Sequence, residues 1–158
     1  MTPLSIADRI VETARSQLGV VEERGNKGVP YERYALTGED PLPWCARFVR
    51  WVFTQNQLIL PGNRYLIGRV STMQEELVRR GAILTRDQSP EPGDLVFLHD
   101  RGGSDAGGGH HVAIIESRGA TTVNSIDGNW GDRVKKVARD RYAPAIWCYA
   151  RWPVQATA

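Results

Sequence analysis

The sequence has no long apolar run, no cluster of basic residues and few cysteines. None of its segments approaches the roughly 20 apolar residues that a membrane helix needs, so we expect a protein that is not embedded in a membrane. Lysine and arginine, 20 in total, are spread along the chain and leave a formal net charge of +2. This spread argues against a nucleic-acid partner, which a basic patch would indicate.

The first eight residues lack the basic and apolar regions of a secretory signal. If the protein acts outside the cytoplasm, we therefore expect something other than an N-terminal signal to carry it there. No internal repeat and no linker long enough to separate two domains is found. Residues 1–158 are interpreted as a single domain, because this length suits one hydrophobic core.

Only two cysteines are present, Cys45 and Cys148. Their separation excludes a cysteine-based metal knuckle without histidines at ligand spacing. His99, Asp100 and His110 form an alternative cluster for a metal, but their spacing matches no standard motif and the two thiols are far from them in sequence. A disulfide would disable Cys45 as a nucleophile, and we expect both thiols to be reduced, with Cys148 buried in a strand.

The first half of the chain has helical patterns and the second half has strand patterns. Residues 22–43 read mostly as loop, with one turn near 31–36. Helices are predicted at 5–18 with Ser5 as cap, at 45–57, and from a capping box of Ser71 and Gln74 to Gly81. Strands are predicted at 94–98, 112–117, 121–127, 133–139 and 145–152. This order predicts an α+β domain. The glycine-rich stretch 101–109 is interpreted as a mobile hairpin loop and a candidate flap.

Cys45 stands at the predicted start of the second helix, directly after Pro43 and Trp44. Unpaired N–H groups and the positive end of the helix dipole at this position favour thiolate over thiol. Taken alone, Cys45 is explained as well by simple core packing, since a nucleophile also needs a base.

His111 and Asp127 are the candidate partners of the thiol. His111 begins one predicted strand and Asp127 ends the next, so a tight turn at 118–120 brings both to the same edge of the sheet. Each has an ordinary explanation, His111 as a structural histidine and Asp127 as a turn residue. Together with Cys45 they favour a catalytic site.

Four segments resemble, in order, the signatures of CHAP domains, the cysteine, histidine-dependent amidohydrolases and peptidases of the papain-like NlpC superfamily. The segments are PWCARFV at 43–49, PGDLVF at 92–97, GHHVAII at 109–115 and IDGNW at 126–130. The resemblance implies a papain-like α+β fold, with N-terminal helices packed on a C-terminal antiparallel sheet of about five to six strands. It also implies cleavage of amide bonds in bacterial peptidoglycan.

Carried over by position, the resemblance makes Cys45 the nucleophile and His111 the general base and later the acid. Asp127 orients the imidazole where the family usually has Glu, and Asn129 is a nearby polar support or the third member itself. The family shows one histidine at this point whereas this chain has two; His111 is chosen over His110 because the Val-Ala-Ile-Ile run sets its register. The acidic loop of calcium-binding members is not found, so we predict no metal, and a thioester that water resolves needs no cofactor.

Two alternatives to hydrolysis stay open: a catalytically silent wall-binding module of the same fold, and an acyltransferase that passes the thioester to an amine. The bond cut, sugar to alanine or within the stem peptide or crossbridge, also stays open. We expect a monomer acting in the bacterial cell wall or periplasm, as a phage lysin or as an antibacterial effector. It is delivered by phage lysis, by a secretion apparatus or by export from the cytoplasm, and an effector implies a cognate inhibitor protein.

Overall fold

The computed structural model describes residues 2–99 and 110–153. The helices are α1 (Ile6–Arg15), α2 (Val29–Tyr34), α3 (Cys45–Gln55) and α4 (Val70–Arg79), with a 3₁₀ helix at Leu66–Gly68. The strands are β1 (Leu95–Leu98), β2 (His111–Arg118), β3 (Thr122–Asp127), β4 (Lys135–Asp140) and β5 (Ile146–Ala150). The predicted α+β order, helices before strands, is confirmed. The predicted loop at 101–109 lies outside the described residues.

The five strands form one antiparallel sheet in the order β4-β3-β2-β1-β5. Alternate residues of β1 and β2 enter two apolar clusters. One contains Leu95, Phe97, Val112 and Ile114 together with the helices, and the other contains Val96, Leu98, Ala113, Ile115 and Val123. Because both faces of these central strands are buried, their sequences are continuous apolar runs rather than alternating ones.

Helix α3 lies against β2, and its first residue is therefore held near the beginning of that strand. Gly128, directly after β3, makes the close approach possible. A Cβ atom at Gly128 would lie 2.6 Å from Cβ of Phe48 in α3, so no side chain fits between the helix and the end of β3. The glycine thus sets the distance between the helix start and the residues that end β3.

The two predicted helix caps have different outcomes. Ser5 forms the predicted cap, receiving a hydrogen bond from the backbone of Asp8 while the Asp8 carboxylate reaches back to the Ser5 N–H. The predicted Ser71 cap is wrong, because α4 begins at Val70 and its cap residue, Arg69, makes no side-chain cap bond. The preceding 3₁₀ helix leads into α4 and places Ser71 inside its first turn.

The predicted turn in the first loop is a short helix, α2, with Pro30 in its first turn. Cys148 lies in β5 as predicted, but it is partly rather than fully buried. In residues 2–99 and 110–153 the longest helix has 11 residues, and none qualifies as a membrane span.

Candidate active site

Cys45 is the first residue of α3 and is a free thiol with only 6% of its surface exposed. The residue before it, Trp44, makes no side-chain cap bond, and the first turn of α3 contains no acidic residue. The N-terminal N–H groups of the helix are therefore free to act on the sulfur rather than on a capping side chain. The backbone N–H of Ala46, in this turn, helps to lower the pKa of the thiol.

The surroundings of the sulfur favour its ionised form. Burial raises the pKa of the Cys45 thiol, but hydrogen bonding to His111, the charge of that imidazole and the N–H groups of Val112 and Ala46 outweigh burial and lower the pKa. Val112 belongs to β2, so the sulfur lies between a helix start and a strand start. The loop before α3 and the packing of α3 on β2 together create this environment.

His111 is the first residue of β2 and connects the thiol to a carboxylate. Its Nε2 atom lies 2.8 Å from Oδ2 of Asp127, which leaves Nδ1 for the hydrogen bond with Cys45. Burial lowers the pKa of His111, but the hydrogen bonds and charges of Asp127 and Cys45 raise it to about 9. The lowered thiol pKa and the raised imidazole pKa favour a thiolate–imidazolium pair near neutral pH.

Asp127 is the last residue of β3 and is fully buried. Burial raises the pKa of its carboxyl, but the hydrogen bond and charge of His111, followed by the charge and hydrogen bond of Arg139, hold the pKa below its usual range. A buried carboxylate of this kind keeps its charge only because cations and hydrogen-bond donors surround it. Asp127 therefore acts on His111 as an anion.

The structure brings Cys45, His111 and Asp127 together and leaves Asn129 to one side. Among the described residues no hydrogen bond joins the Asn129 side chain to the His111 ring. Asn129 has a positive φ of 61° in the turn after β3. The shorter aspartate thus reaches the imidazole where the family pattern has a glutamate, and Asn129 serves the turn.

The neighbouring histidine, His110, belongs to a different cluster. Its ring centroid lies 5.4 Å from that of His99 and 5.1 Å from that of Trp147. Its Nδ1 atom is buried with no hydrogen-bond partner within the described part of the chain. In that same part, no three His, Cys, Asp or Glu side chains lie close enough to hold a metal ion.

A cleft of about 400 Å³ opens above the thiol. Cys45, Ala46 and Arg47 from the start of α3 line it together with His110 and with residues from two segments, 38–43 and 65–71, which we call its walls. The cleft is the route by which a substrate carbonyl can reach the buried sulfur, since the thiol itself has little contact with bulk solvent. Its size is in the range of ligand sites.

A buried ion cluster fixes both walls of this cleft to α3. Arg50 pairs with the Glu39 carboxylate and donates to the backbone oxygens of Tyr34, at 3.1 Å, and Arg64, at 2.9 Å. Arg47 lies 3.7 Å from the same carboxylate. Burial raises the pKa of Glu39, but the hydrogen bonds and charges of Arg50, with smaller contributions from Leu36 and Arg47, lower it overall.

Sequence reasoning missed the residues on the far side of Asp127. Ser125 and Arg139 bond the carboxylate, and Trp130 lies beside both Arg139 and His111. Arg139 reaches the Asp127 carboxylate because β4 pairs with β3, and single-sequence patterns do not predict the register of that pairing. The two-residue spacing of Ser125 and Asp127 on one face of β3 is the only signal that pointed to part of this group.

An α+β fold with a cysteine at a helix start beside a strand histidine is the architecture of papain-like cysteine hydrolases. A family model for the CHAP domain matches residues 37–129, more than half of the 158-residue chain. The chain belongs to the CHAP family, whose members are papain-like cysteine- and histidine-dependent amidohydrolases and peptidases. The comparison with curated proteins gave no match. The matched range includes Cys45, His111 and Asp127.

Proposed function

We propose that the chain hydrolyses an amide bond of bacterial peptidoglycan through a thioester on Cys45. The observation that carries this proposal is the contact of Cys45 with His111 and of His111 with Asp127, with Cys45 itself lining the cleft. Membership of the CHAP family supports peptidoglycan as the substrate. The buried, mutually stabilised charges supply a nucleophile and a proton donor in one site.

In the acylation step, the Cys45 thiolate forms a bond to the carbonyl carbon and the carbonyl π electrons move to oxygen. The oxyanion is held by the backbone N–H of Cys45 and a second donor, each worth about 3–4 kcal/mol. The C–N bond then breaks while the His111 imidazolium gives its proton to the nitrogen. The amine leaves, and a thioester and a neutral imidazole remain.

In the deacylation step, neutral His111 takes a proton from a water molecule as the water oxygen attacks the thioester carbonyl. The C–S bond breaks, the carboxylic acid is released, and the thiolate–imidazolium pair is restored. Asp127 keeps the imidazole in the tautomer and orientation that both steps need and stabilises its charged form. No oxidant, cofactor or metal enters this balance.

The remaining features of the proposal concern the whole protein. Residues 1–158 form one catalytic domain that acts in the cell wall as a monomer. The enzyme is an amidase or an endopeptidase, used as a phage lysin or as an antibacterial effector that a cognate inhibitor restrains in its producer. The fold also suits the acyltransferase alternative, because an amine in place of water would resolve the same thioester.

Digestion of purified peptidoglycan followed by mass spectrometry of the products tests the proposal. We expect new amine and carboxyl ends from the wild type, whose identity reports the bond cut, and a loss of at least about 10⁴-fold in Cys45→Ala. Cys148→Ala is the matched control, since it removes the other thiol and should retain activity. Full activity of Cys45→Ala would disprove the mechanism, and products joined to an added amine would indicate acyl transfer.

A further inference from the structure

Asp127 has a second cationic partner besides His111. Its Oδ2 atom, which contacts His111 Nε2, also accepts a hydrogen bond of 2.6 Å from Nη2 of Arg139. Its Oδ1 atom accepts a hydrogen bond of 2.5 Å from the hydroxyl of Ser125. Both oxygens of the carboxylate are therefore held: Oδ2 by the two cations, and Oδ1 by Ser125 and, more weakly, by Nη1 of Arg139 at 3.5 Å.

Arg139 is itself held in place by two contacts besides the one with Asp127. Its Nη1 atom donates a hydrogen bond to the Ser125 hydroxyl at 2.5 Å, while its Nη2 atom donates to Asp127. The guanidinium carbon lies 4.7 Å from the centre of the Trp130 ring, which in turn lies 5.2 Å from the His111 ring. Arg139, Asp127, His111 and Trp130 thus form a closed ring of contacts behind the thiol.

We propose that Arg139 is a positioning residue for the reaction: it keeps the Asp127 carboxylate ionised and aimed at Nε2 of His111. The inference rests on the proposed function, in which His111 serves Cys45. Arg139 follows the range 37–129 that the CHAP family model matches, so it is a feature of this chain beyond the matched signatures. Its role is exerted through Asp127, since Arg139 does not contact the sulfur in the described structure.

The physical reason is the cost of a buried anion. A fully buried carboxylate is stable only with compensating charge, and the imidazole can lose its charge during the reaction whereas the guanidinium cannot. When His111 gives its proton to the leaving amine, Arg139 is the cation that remains on Asp127. The planar fork also sets the direction of the carboxylate, because it bonds Asp127 and Ser125 at once.

Loss of Arg139 should change how Cys45 ionises. The charged and titratable groups facing His111 are Cys45 from α3, Asp127 from β3 and, through Asp127, Arg139 from β4. Lys135 is the register partner of Asp127, and His110 precedes His111 in the chain. Without the guanidinium, protonation of Asp127 becomes easier, and a neutral Asp127 supports the His111 imidazolium less. A weaker imidazolium in turn makes the Cys45 thiolate harder to form, so the thiolate should form at a higher pH.

The rate of Cys45 alkylation by iodoacetamide, followed against pH by intact mass, measures thiolate without a wall substrate. In Arg139→Met we expect the acid midpoint of this profile to rise by about 1 pH unit. Arg139→Lys keeps the charge and should restore most of the midpoint. It loses the fork, however, so kcat for muropeptide hydrolysis should fall by about tenfold at unchanged KM. Lys135→Met, which removes an exposed cation of the same strand, should match the wild type.

The outcomes separate this inference from the proposed function. An unchanged midpoint in folded Arg139→Met would overturn the inference, as would a shift of equal size in Lys135→Met. If Arg139→Met does not fold, Arg139→Lys decides, because unchanged kcat in that variant overturns the positioning role. A wild-type Cys45 that is alkylated no faster than free cysteine at neutral pH would instead refute the proposed function.

Discussion

Two buried carboxylates flank the candidate nucleophile, and each is shared by two cations. Glu39 is shared by Arg50 and Arg47 beneath the cleft walls, and Asp127 is shared by His111 and Arg139 behind the thiol. The two clusters differ in one partner. Both cations of Glu39 are guanidiniums, a group that does not exchange its proton in ordinary enzyme chemistry, whereas one cation of Asp127 is an imidazole, a group that does.

The difference separates a structural cluster from one that supports chemistry. Because neither partner of Glu39 gains or loses a proton near neutral pH, that cluster fixes the loops of the cleft to α3. His111 can transfer a proton, and its contact with Cys45 couples that transfer to the sulfur. The same construction of a shared carboxylate therefore supports packing at one site and proton transfer at the other. Substitutions in the Asp127 cluster should therefore lower mainly activity, whereas substitutions in the Glu39 cluster should lower mainly stability.

Among substitutions in the two clusters, the largest expected effect is on activity, from His111→Gln. Removal of the group that exchanges the proton should lower kcat by about 10²–10⁴-fold. The free energy of unfolding should change far less than in the Glu39 cluster. Hydrolysis of a soluble muropeptide and urea unfolding measure the two effects. His110→Gln is the control, because His110 contacts His99 and Trp147 rather than Asp127. A greater loss of kcat from His110→Gln than from His111→Gln would mean that His110, not His111, is the base.

The next effect is on stability, from Arg50→Met. This change leaves the Glu39 carboxylate with the more distant Arg47 as its cation and removes donors to two loop carbonyls, so unfolding should become easier by about 3–5 kcal/mol. Arg79→Met is the control, since Arg79 is 73% exposed and its pair with Glu76 is worth less than about 1 kcal/mol. Urea denaturation followed by tryptophan fluorescence measures both. Equal losses in the two variants would contradict a structural role for the Glu39 cluster.

The contrast also explains what the sequence could predict. The placement of Cys45 at a helix start, His111 at a strand start and Asp127 at a strand end was predicted from local punctuation and two-residue periodicity, and these placements are confirmed. Their catalytic roles stay predictions. The helix-first order and the antiparallel sheet follow from the same local signals.

Contacts set by pairing between distant segments were not predictable. Arg139 reaches Asp127 only because β4 lies beside β3, and Glu39 reaches Arg50 only because the loop before α3 folds back over that helix. An arginine inside a helix or strand usually indicates a solvated face, and Arg50 is buried instead. Side chains that complete buried ion clusters thus require the tertiary structure, whereas those that begin or end elements do not.

The smallest expected effect is in the alkaline pH dependence of hydrolysis. Burial lowers the pKa of His111, but Asp127 and Cys45 raise it to about 9, so the imidazolium persists at neutral pH and is lost as pH rises through about 9. The leaving amine needs that proton, so activity near pH 9 should be about half of its plateau. In Asp127→Asn the neutral amide cannot support the imidazolium, and the alkaline limb should move toward the usual value of about 6.5. Glu39→Gln, which neutralises the carboxylate of the other cluster, should leave the limb in place. An equal shift in both variants would mean that net charge rather than contact with His111 sets the limb.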